Sequence, residues 1–235
     1  IMNLNNQKKI GIVNKVFDTV NTKYDLMNDL MSFGVHRQWK KNLIEWMGPS
    51  KNERLIDVAS GTGDIANLFS IKLNDQCSVE CVEPNINMLK IGKKKLTKKK
   101  NINWHNEYAE KLPFKSNTFD YYSISFGIRN TSSIEKSLKE AYRVLKPGGK
   151  FFCLEFSKVE NEIINLVYKN YSKLIPPLGK IIVGDDRPYR YLTDSIRKFY
   201  SQDEFVRIME KSGFQSVEYR NLNTGIATIH RGWKI

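Results

Sequence analysis

The sequence predicts an α/β domain: a mostly parallel sheet of seven strands with helices on both faces. Three observations carry this. Between Arg54 and Phe156, short apolar runs alternate with segments of helical period. That order makes neighbouring strands parallel and puts the crossover helices over the sheet. The first strand-like run ends in the small residues Ser60-Gly61-Thr62-Gly63, and a helix opens at once; open parallel sheets bind ligands at that edge. The chain has 235 residues, 40% hydrophobic and 27% charged, which suits one globular domain with a real core.

The elements follow in order. Up to about Trp46 the pattern is helical, with Val16, Phe17, Val20, Tyr24, Met27 and Met31 at helix spacing. Residues 1–48 therefore form an N-terminal helical cap, closed by Gly48-Pro49. Strands are expected from Arg54 to Ala59, Ser78 to Glu83, Ile102 to His105, Phe119 to Phe126 and Lys150 to Phe156. Helices are expected from Asp64 to Leu73, Asn85 to Leu96 and Ile134 to Leu145, the last stopped by Lys146-Pro147-Gly148-Gly149. The alternation breaks over 159–199. An amphipathic helix around Ile163 to Leu174 and the run Pro176-Pro177-Leu178-Gly179 read as an insertion over the sheet's carboxyl edge. Ser201 to Ser212 is a helix with a Ser201/Glu204 capping box and Gly213 at its end. Phe214 to Tyr219 and Ala227 to Trp233 close the sheet. No repeat or Pro/Gly/Ser-rich linker divides the chain, so 1–235 is assigned as a single domain.

Composition narrows the partners. The formal charge of +13 suits nucleic acid or an anionic membrane surface. Lys93 to Lys95 and Lys98 to Lys100 fall on a helix and the loop after it, which reads first as a solvated face. No apolar run is long enough to span a bilayer, and the start, Ile1-Met2-Asn3-Leu4-Asn5, has no apolar signal core. Cys77, Cys81 and Cys153 fit no zinc spacing and read as reduced, buried, small apolar residues.

The strongest functional signal is Leu55-Ile56-Asp57-Val58-Ala59-Ser60-Gly61-Thr62-Gly63-Asp64. Small side chains at Ser60, Gly61, Thr62 and Gly63 let a ligand approach the backbone. The motif alone is ambiguous. Gly61-Thr62-Gly63-Asp64-Ile65-Ala66 also fits the dinucleotide pattern, with Glu83 about twenty residues on, where an acid holds a ribose. An NAD-linked oxidoreductase is therefore the rival, and a plain tight turn the third reading. Three features separate them. Asp57 precedes the turn, where an acid reaches the ammonium of a bound amino acid, a group no dinucleotide has. Asp64 at the helix start would compete with a pyrophosphate for the same helix N-terminus. Tyr108-Ala109-Glu110-Lys111-Leu112-Pro113-Phe114 after the third strand can wall an adenine, and Arg143-Val144-Leu145-Lys146-Pro147-Gly148-Gly149 joins a helix to the next strand.

These last two segments resemble those of class I S-adenosylmethionine-dependent methyltransferases, which have a Rossmann-like fold. More specifically, from about Val16 to the C-terminus the chain resembles the ubiquinone/menaquinone biosynthesis C-methyltransferase family (UbiE). The specific pieces are Lys23-Tyr24-Asp25-Leu26-Met27-Asn28-Asp29-Leu30-Met31-Ser32-Phe33-Gly34 and Ser125-Phe126-Gly127-Ile128-Arg129-Asn130. Leu154-Glu155-Phe156-Ser157-Lys158, Tyr191-Leu192-Thr193-Asp194-Ser195-Ile196 and the ending His230-Arg231-Gly232-Trp233-Lys234 extend the match.

The resemblance implies methyl transfer from S-adenosylmethionine to a ring carbon of a polyprenylated benzoquinol or naphthoquinol, with no metal needed. By motif position Thr62 contacts the cofactor, Glu83 holds its ribose hydroxyls, Tyr108 and Ala109 border the adenine, and Ser125 lines the site. Two positions depart from the family: many members carry Asp where this chain has Glu83, and Asn where it has Tyr108. Glu can still accept ribose hydrogen bonds, whereas Tyr108 leaves its backbone as the reliable contact.

Carbon methylation of a quinol requires an ionised hydroxyl that pushes charge into the ring, and carbon, methyl and sulfur held in line. Arg129, past a strand end and always charged, is the first candidate to stabilise the phenolate; a structural salt bridge is its competing role. Asn130 orients the hydroxyl or caps a turn. Tyr24 stacks on the ring, relays a proton or fills a core. His36, His105 and His230 sit in no motif that demands a base. Leu166, Val167, Leu174, Ile175, Leu178, Ile181, Ile182 and Val183 are candidates for a tail channel or for packing on the sheet.

Association with an anionic membrane or a quinone-biosynthesis complex, and a homo-oligomer, stay open as partners. The implied location is a bacterial cytoplasm at the inner-membrane surface, or a mitochondrial matrix. No nucleic-acid partner is expected: Ser125-Phe126-Gly127-Ile128 lacks the Asn/Asp-Pro-Pro-aromatic loop of enzymes that methylate exocyclic amines, and no RNA-binding motif is appended.

Overall fold

Seven strands form one sheet: β1 (Arg54–Val58), β2 (Ser78–Val82), β3 (Ile102–His105), β4 (Phe119–Ser125), β5 (Leu145–Phe156), β6 (Gln215–Leu222) and β7 (Ala227–Trp233). They are seen in a computed structural model that describes residues 34–159 and 186–235, with Gly11, Asp29, Ser32, Tyr171, Pro176, Pro177 and Lys180. The helices are α1 (His36–Met47), α2 (Asp64–Lys72), α3 (Ile86–Lys95), α4 (Ile134–Val144), α5 (Arg187–Lys198) and α6 (Gln202–Lys211). Tyr24 and the rest of the expected N-terminal helix pattern, the expected helix from Ile163 to Leu174 and the candidate tail-channel residues lie outside the described residues.

The strand order is β3-β2-β1-β4-β5-β7-β6. The pairs among β1 to β5 are parallel, and β7 runs antiparallel to both β5 and β6. Apolar residues bury both faces of the sheet. On one face, α1 and α2 pack Trp39, Leu43 and Phe69 against Tyr121, Phe152 and Leu154. On the other, α4 and α6 pack Leu138, Phe205 and Met209 against Tyr122, Phe151 and Cys153. The order reverses between β1 and β4, and a ligand crevice is expected beyond the carboxyl ends of those two strands. Among the described residues no helix is long and apolar enough to cross a membrane.

Two local features differ from the sequence reading. Lys146 to Gly149 is a bulge inside β5 rather than a loop before it: Phe119 pairs with Leu145, yet Tyr121 pairs with Lys150. Its C-terminal anchor is Lys234, whose Nζ donates to the carbonyls of Tyr142 and Leu145 at 2.8 Å each, while its carbonyl accepts from Gly148 at 2.6 Å. Lys234 thus satisfies carbonyls that the end of α4 leaves open. The second feature is α5, a helix inside the 159–199 stretch that periodicity did not resolve.

Gly63 fixes how α2 enters. Its φ is +82°, and a Cβ there would stand 2.8 Å from Leu96 Cδ1 and 2.9 Å from Trp104 Cη2. Gly63→Ala combines left-handed strain with overpacking and should cost about 2–4 kcal/mol of stability, read from the urea midpoint. An unchanged midpoint would contradict this packing.

Candidate active site

The site begins where β1 ends. Ala59, Gly61 and Gly63 have φ of +51°, +58° and +82°, so the chain curls tightly before α2 starts at Asp64. The turn is tied to β2 by the Ser60 N–H, which donates to the Val82 carbonyl at 3.2 Å. Glu83, just past β2, completes the tie: its Oε2 accepts the Gly61 N–H at 2.8 Å and its Oε1 accepts the Asn85 N–H at 2.9 Å. Burial pushes the Glu83 carboxyl up to about 7 against the pull of these two bonds. Each carboxylate oxygen has a further lone pair for a ligand, so Glu83 serves the turn as well as any bound ribose.

Asp57 is a second buried carboxylate at this edge, 1% exposed on β1. Its Oδ1 accepts the Ser123 hydroxyl from β4 at 2.7 Å. Burial raises it to about 7, opposed mainly by Ser123. Its Oδ2 makes no hydrogen bond of ordinary geometry, and neither does the buried Ser125 Oγ. Both residues line one narrow pocket with Lys40, Ser60, Thr62 and Asp64. Asp64 sits at the N-terminus of α2 and bridges Lys40 at 2.7 Å and Lys95 at 2.6 Å. Burial works against its charge, but the two ammonium groups outweigh that and hold its pKa well below the usual carboxylate range. A carboxylate in that place competes with a pyrophosphate for the helix N-terminus.

The loop after β3 is tied to the turn after β2. Asn106 Nδ2 donates to the carbonyls of Glu83 and Pro84 at 2.9 Å each. Tyr108 is exposed and Ala109 buried. Arg143 pins the same loop, donating to the Phe114 carbonyl at 2.7 Å and the Leu112 carbonyl at 3.1 Å.

A second constellation follows β4. Arg129 is buried and engaged: Nη1 donates to Glu155 Oε1 at 2.6 Å and to the Phe126 carbonyl at 2.7 Å. Nε reaches Ser195 Oγ at 3.4 Å. The salt bridge posed as its alternative role therefore exists. Burial raises the Glu155 pKa, with Arg129 pulling it down, and Glu155 Oε2 has no hydrogen-bond partner. Asn130 Oδ1 accepts the Tyr191 hydroxyl of α5 at 3.1 Å. The described part of the 159–199 stretch thus meets the carboxyl edge at Arg129 and Asn130.

Sequence reasoning missed Lys40, Ser123, Glu155 and Tyr191 as members of the site. The signal for Glu155 was a lone acid in the apolar run Phe151-Phe152-Cys153-Leu154-Glu155-Phe156. None of the three histidines joins these two centres in a hydrogen bond that the structure shows. His230 is buried, bonded to the Gln202 carbonyl at 3.2 Å, and lowered by burial to about 4. His36 pairs with Asp29 at 3.0 Å and His105 with Glu80 at 2.6 Å.

The fold is that of class I S-adenosylmethionine-dependent methyltransferases. A solved structure from Thermotoga maritima, a SAM-dependent methyltransferase described as a possible histamine N-methyltransferase, is similar with a TM-score of 0.67 at 20% identity, covering 94% of this chain and 99% of that one. The chain belongs to the ubiE/COQ5 methyltransferase family, whose model matches residues 1–234. The ubiquinone/menaquinone biosynthesis C-methyltransferase UbiE of Brucella abortus (strain S19) is 48% identical over 234 aligned positions, 97% of this chain and 87% of that protein. The UbiE of Brucella anthropi is 49% identical, over 97% of this chain and 89% of that protein.

Two outcomes follow from the charges. Arg129→Ala leaves Glu155 buried and unpaired and should cost about 3–5 kcal/mol in chemical denaturation, whereas the double variant Arg129→Met/Glu155→Gln should recover most of it. Equal losses for both would show that the pair is not the coupled unit described. For Asp57 the folded pKa of about 7 stands above the ordinary 3.8. The folded protein therefore holds that proton more tightly, and stability falls as pH rises between those values. Asp57→Asn should stabilise the ligand-free protein at pH 8 by on the order of 3 kcal/mol, with the gain vanishing near pH 4. An unchanged unfolding midpoint at pH 8 would contradict the burial cost.

Proposed function

We propose that this protein transfers a methyl group from S-adenosylmethionine to a ring carbon of a polyprenylated benzoquinol or naphthoquinol in ubiquinone/menaquinone biosynthesis. The observation that carries this is the near-full-length likeness to UbiE C-methyltransferases, 48–49% identical over 97% of the chain. The cofactor fits the residues present: Asp57 Oδ2 and Ser125 Oγ are buried polar atoms without partners in one pocket beside a small-residue turn. When bound, S-adenosylmethionine supplies an electrophilic methyl group on a sulfonium.

The chain's own residues do the rest. Asp57 takes the cofactor's ammonium. Ser60, Gly61, Thr62 and Gly63 present backbone and small side chains to it, Glu83 receives the ribose hydroxyls, Tyr108 and Ala109 border the adenine, and Ser125 lines the methionine end. Arg129 stabilises the phenolate with its charge held in place by Glu155. Asn130, oriented by Tyr191, positions the quinol hydroxyl, and Tyr24 is assigned to stack on the ring or relay a proton. In this reading 1–235 acts as one domain, with 1–48 as its N-terminal cap and 159–199 as its substrate-side insertion. The prenyl tail and the +13 charge favour peripheral contact with an anionic membrane surface, where such a substrate resides.

The test is an anaerobic incubation with S-adenosylmethionine and a short-tailed reduced quinone that lacks the ring methyl, followed by mass spectrometry. A gain of one methyl group is expected. Arg129→Met/Glu155→Gln should keep cofactor binding and lose about 100-fold or more in kcat. Tight cofactor binding with no methyl gain on either quinol would sink the reading.

A further inference from the structure

The methionine end of S-adenosylmethionine is a zwitterion, and the pocket around Asp57 offers charge of both signs. Lys40 is the cation among the residues that line it. Lys40 belongs to α1, on the face that buries Trp39, Leu43, Ile44 and Met47. Its side chain is only 8% exposed. Placing an ammonium on this largely apolar face, where His36 is the other buried polar side chain, costs desolvation that an isolated ion pair does not recover. Asp64 offsets part of that cost, sharing its charge between Lys40 on one oxygen and Lys95 at 2.6 Å on the other. An ammonium carries three N–H donors, and Asp64 takes one of them at 2.7 Å. Across the same pocket stand the two buried polar atoms without partners, Asp57 Oδ2 and Ser125 Oγ.

We infer that Lys40 binds the carboxylate of the cofactor's methionine end, opposite the ammonium site at Asp57. The inference rests on the S-adenosylmethionine reading above. It gives α1 a direct part in cofactor recognition: the zwitterion is held between a helix from the N-terminal region and the end of β1. Asp64 keeps Lys95 as its counter-ion while Lys40 shares its donors, so no charge is stranded when the cofactor enters.

Calorimetric titration with two ligands that differ only in the carboxylate, S-adenosylmethionine and its decarboxylated form, tests this. The wild-type protein should bind S-adenosylmethionine about 10-fold or more tightly than the decarboxylated ligand, the range of a charge-assisted hydrogen bond. Lys40→Met should lose about 10-fold to 100-fold for S-adenosylmethionine and less than about 3-fold for the decarboxylated ligand, and Lys40→Arg should restore most of the loss. If Lys40→Met does not fold, Lys40→Gln, whose amide can still donate to Asp64, carries the same comparison. Equal weakening of both ligands would show a purely structural lysine and overturn the inference, as would a wild-type protein that does not discriminate between them. A wild-type protein that binds neither ligand would overturn the cofactor reading itself and this inference with it.

Discussion

Two carboxylates buried at the ends of adjacent parallel strands set the terms for this molecule. Asp57 and Glu83 form no ion pair among the described residues, and burial drives both up to about 7. The surrounding backbone is arranged to tolerate them. Register brings Ser123 of β4 alongside Asp57, so a hydroxyl can donate to it. The left-handed turn from Ala59 to Gly63 aims the Gly61 N–H at Glu83. Because that turn also requires Gly63 to fit against Trp104 and Leu96, the start of α2 and the packing of α3 follow from the same geometry.

The second charge centre depends on the first through close packing. A Cβ on Gly127 would stand 2.5 Å from the Ala59 Cβ, so the turns after β1 and β4 are in contact. Phe126, with φ of +56°, turns its carbonyl to Arg129 in the step between them. The pocket beside Asp57 and the Arg129–Glu155 pair are thus two sides of one junction. Methyl transfer needs donor and acceptor in fixed line, and a junction of backbone against backbone supplies that rigidity better than long side chains can.

Much of this was legible in the sequence because it is written in local patterns. Short apolar runs and helical runs placed the seven strands and most helices, and the turn motif placed Asp57, Asp64 and Glu83 at one edge. The argument that Asp64 competes with a pyrophosphate needed only its place at a helix start. What escaped depends on distance along the chain. The Lys146 to Gly149 bulge appears only once Phe119 is paired with Leu145. The Arg129–Glu155 pair joins residues 26 positions apart, and recognising it needs the register of β4 on β5. Lys40 reads as one more basic residue on a polar helix until α1 is packed against α2.

On the proposed function, cofactor binding relieves the burial cost of Asp57 by giving it a counter-charge. Calorimetry of S-adenosylmethionine binding at pH 6, in buffers of different ionisation enthalpy, measures the protons exchanged on binding. With the ligand-free Asp57 near 7, binding should release a substantial fraction of one proton, and Asp57→Asn should remove the share that Asp57 contributes, leaving only that of Glu83. Binding at pH 6 with no proton release, or a release unchanged in Asp57→Asn, would contradict the claim.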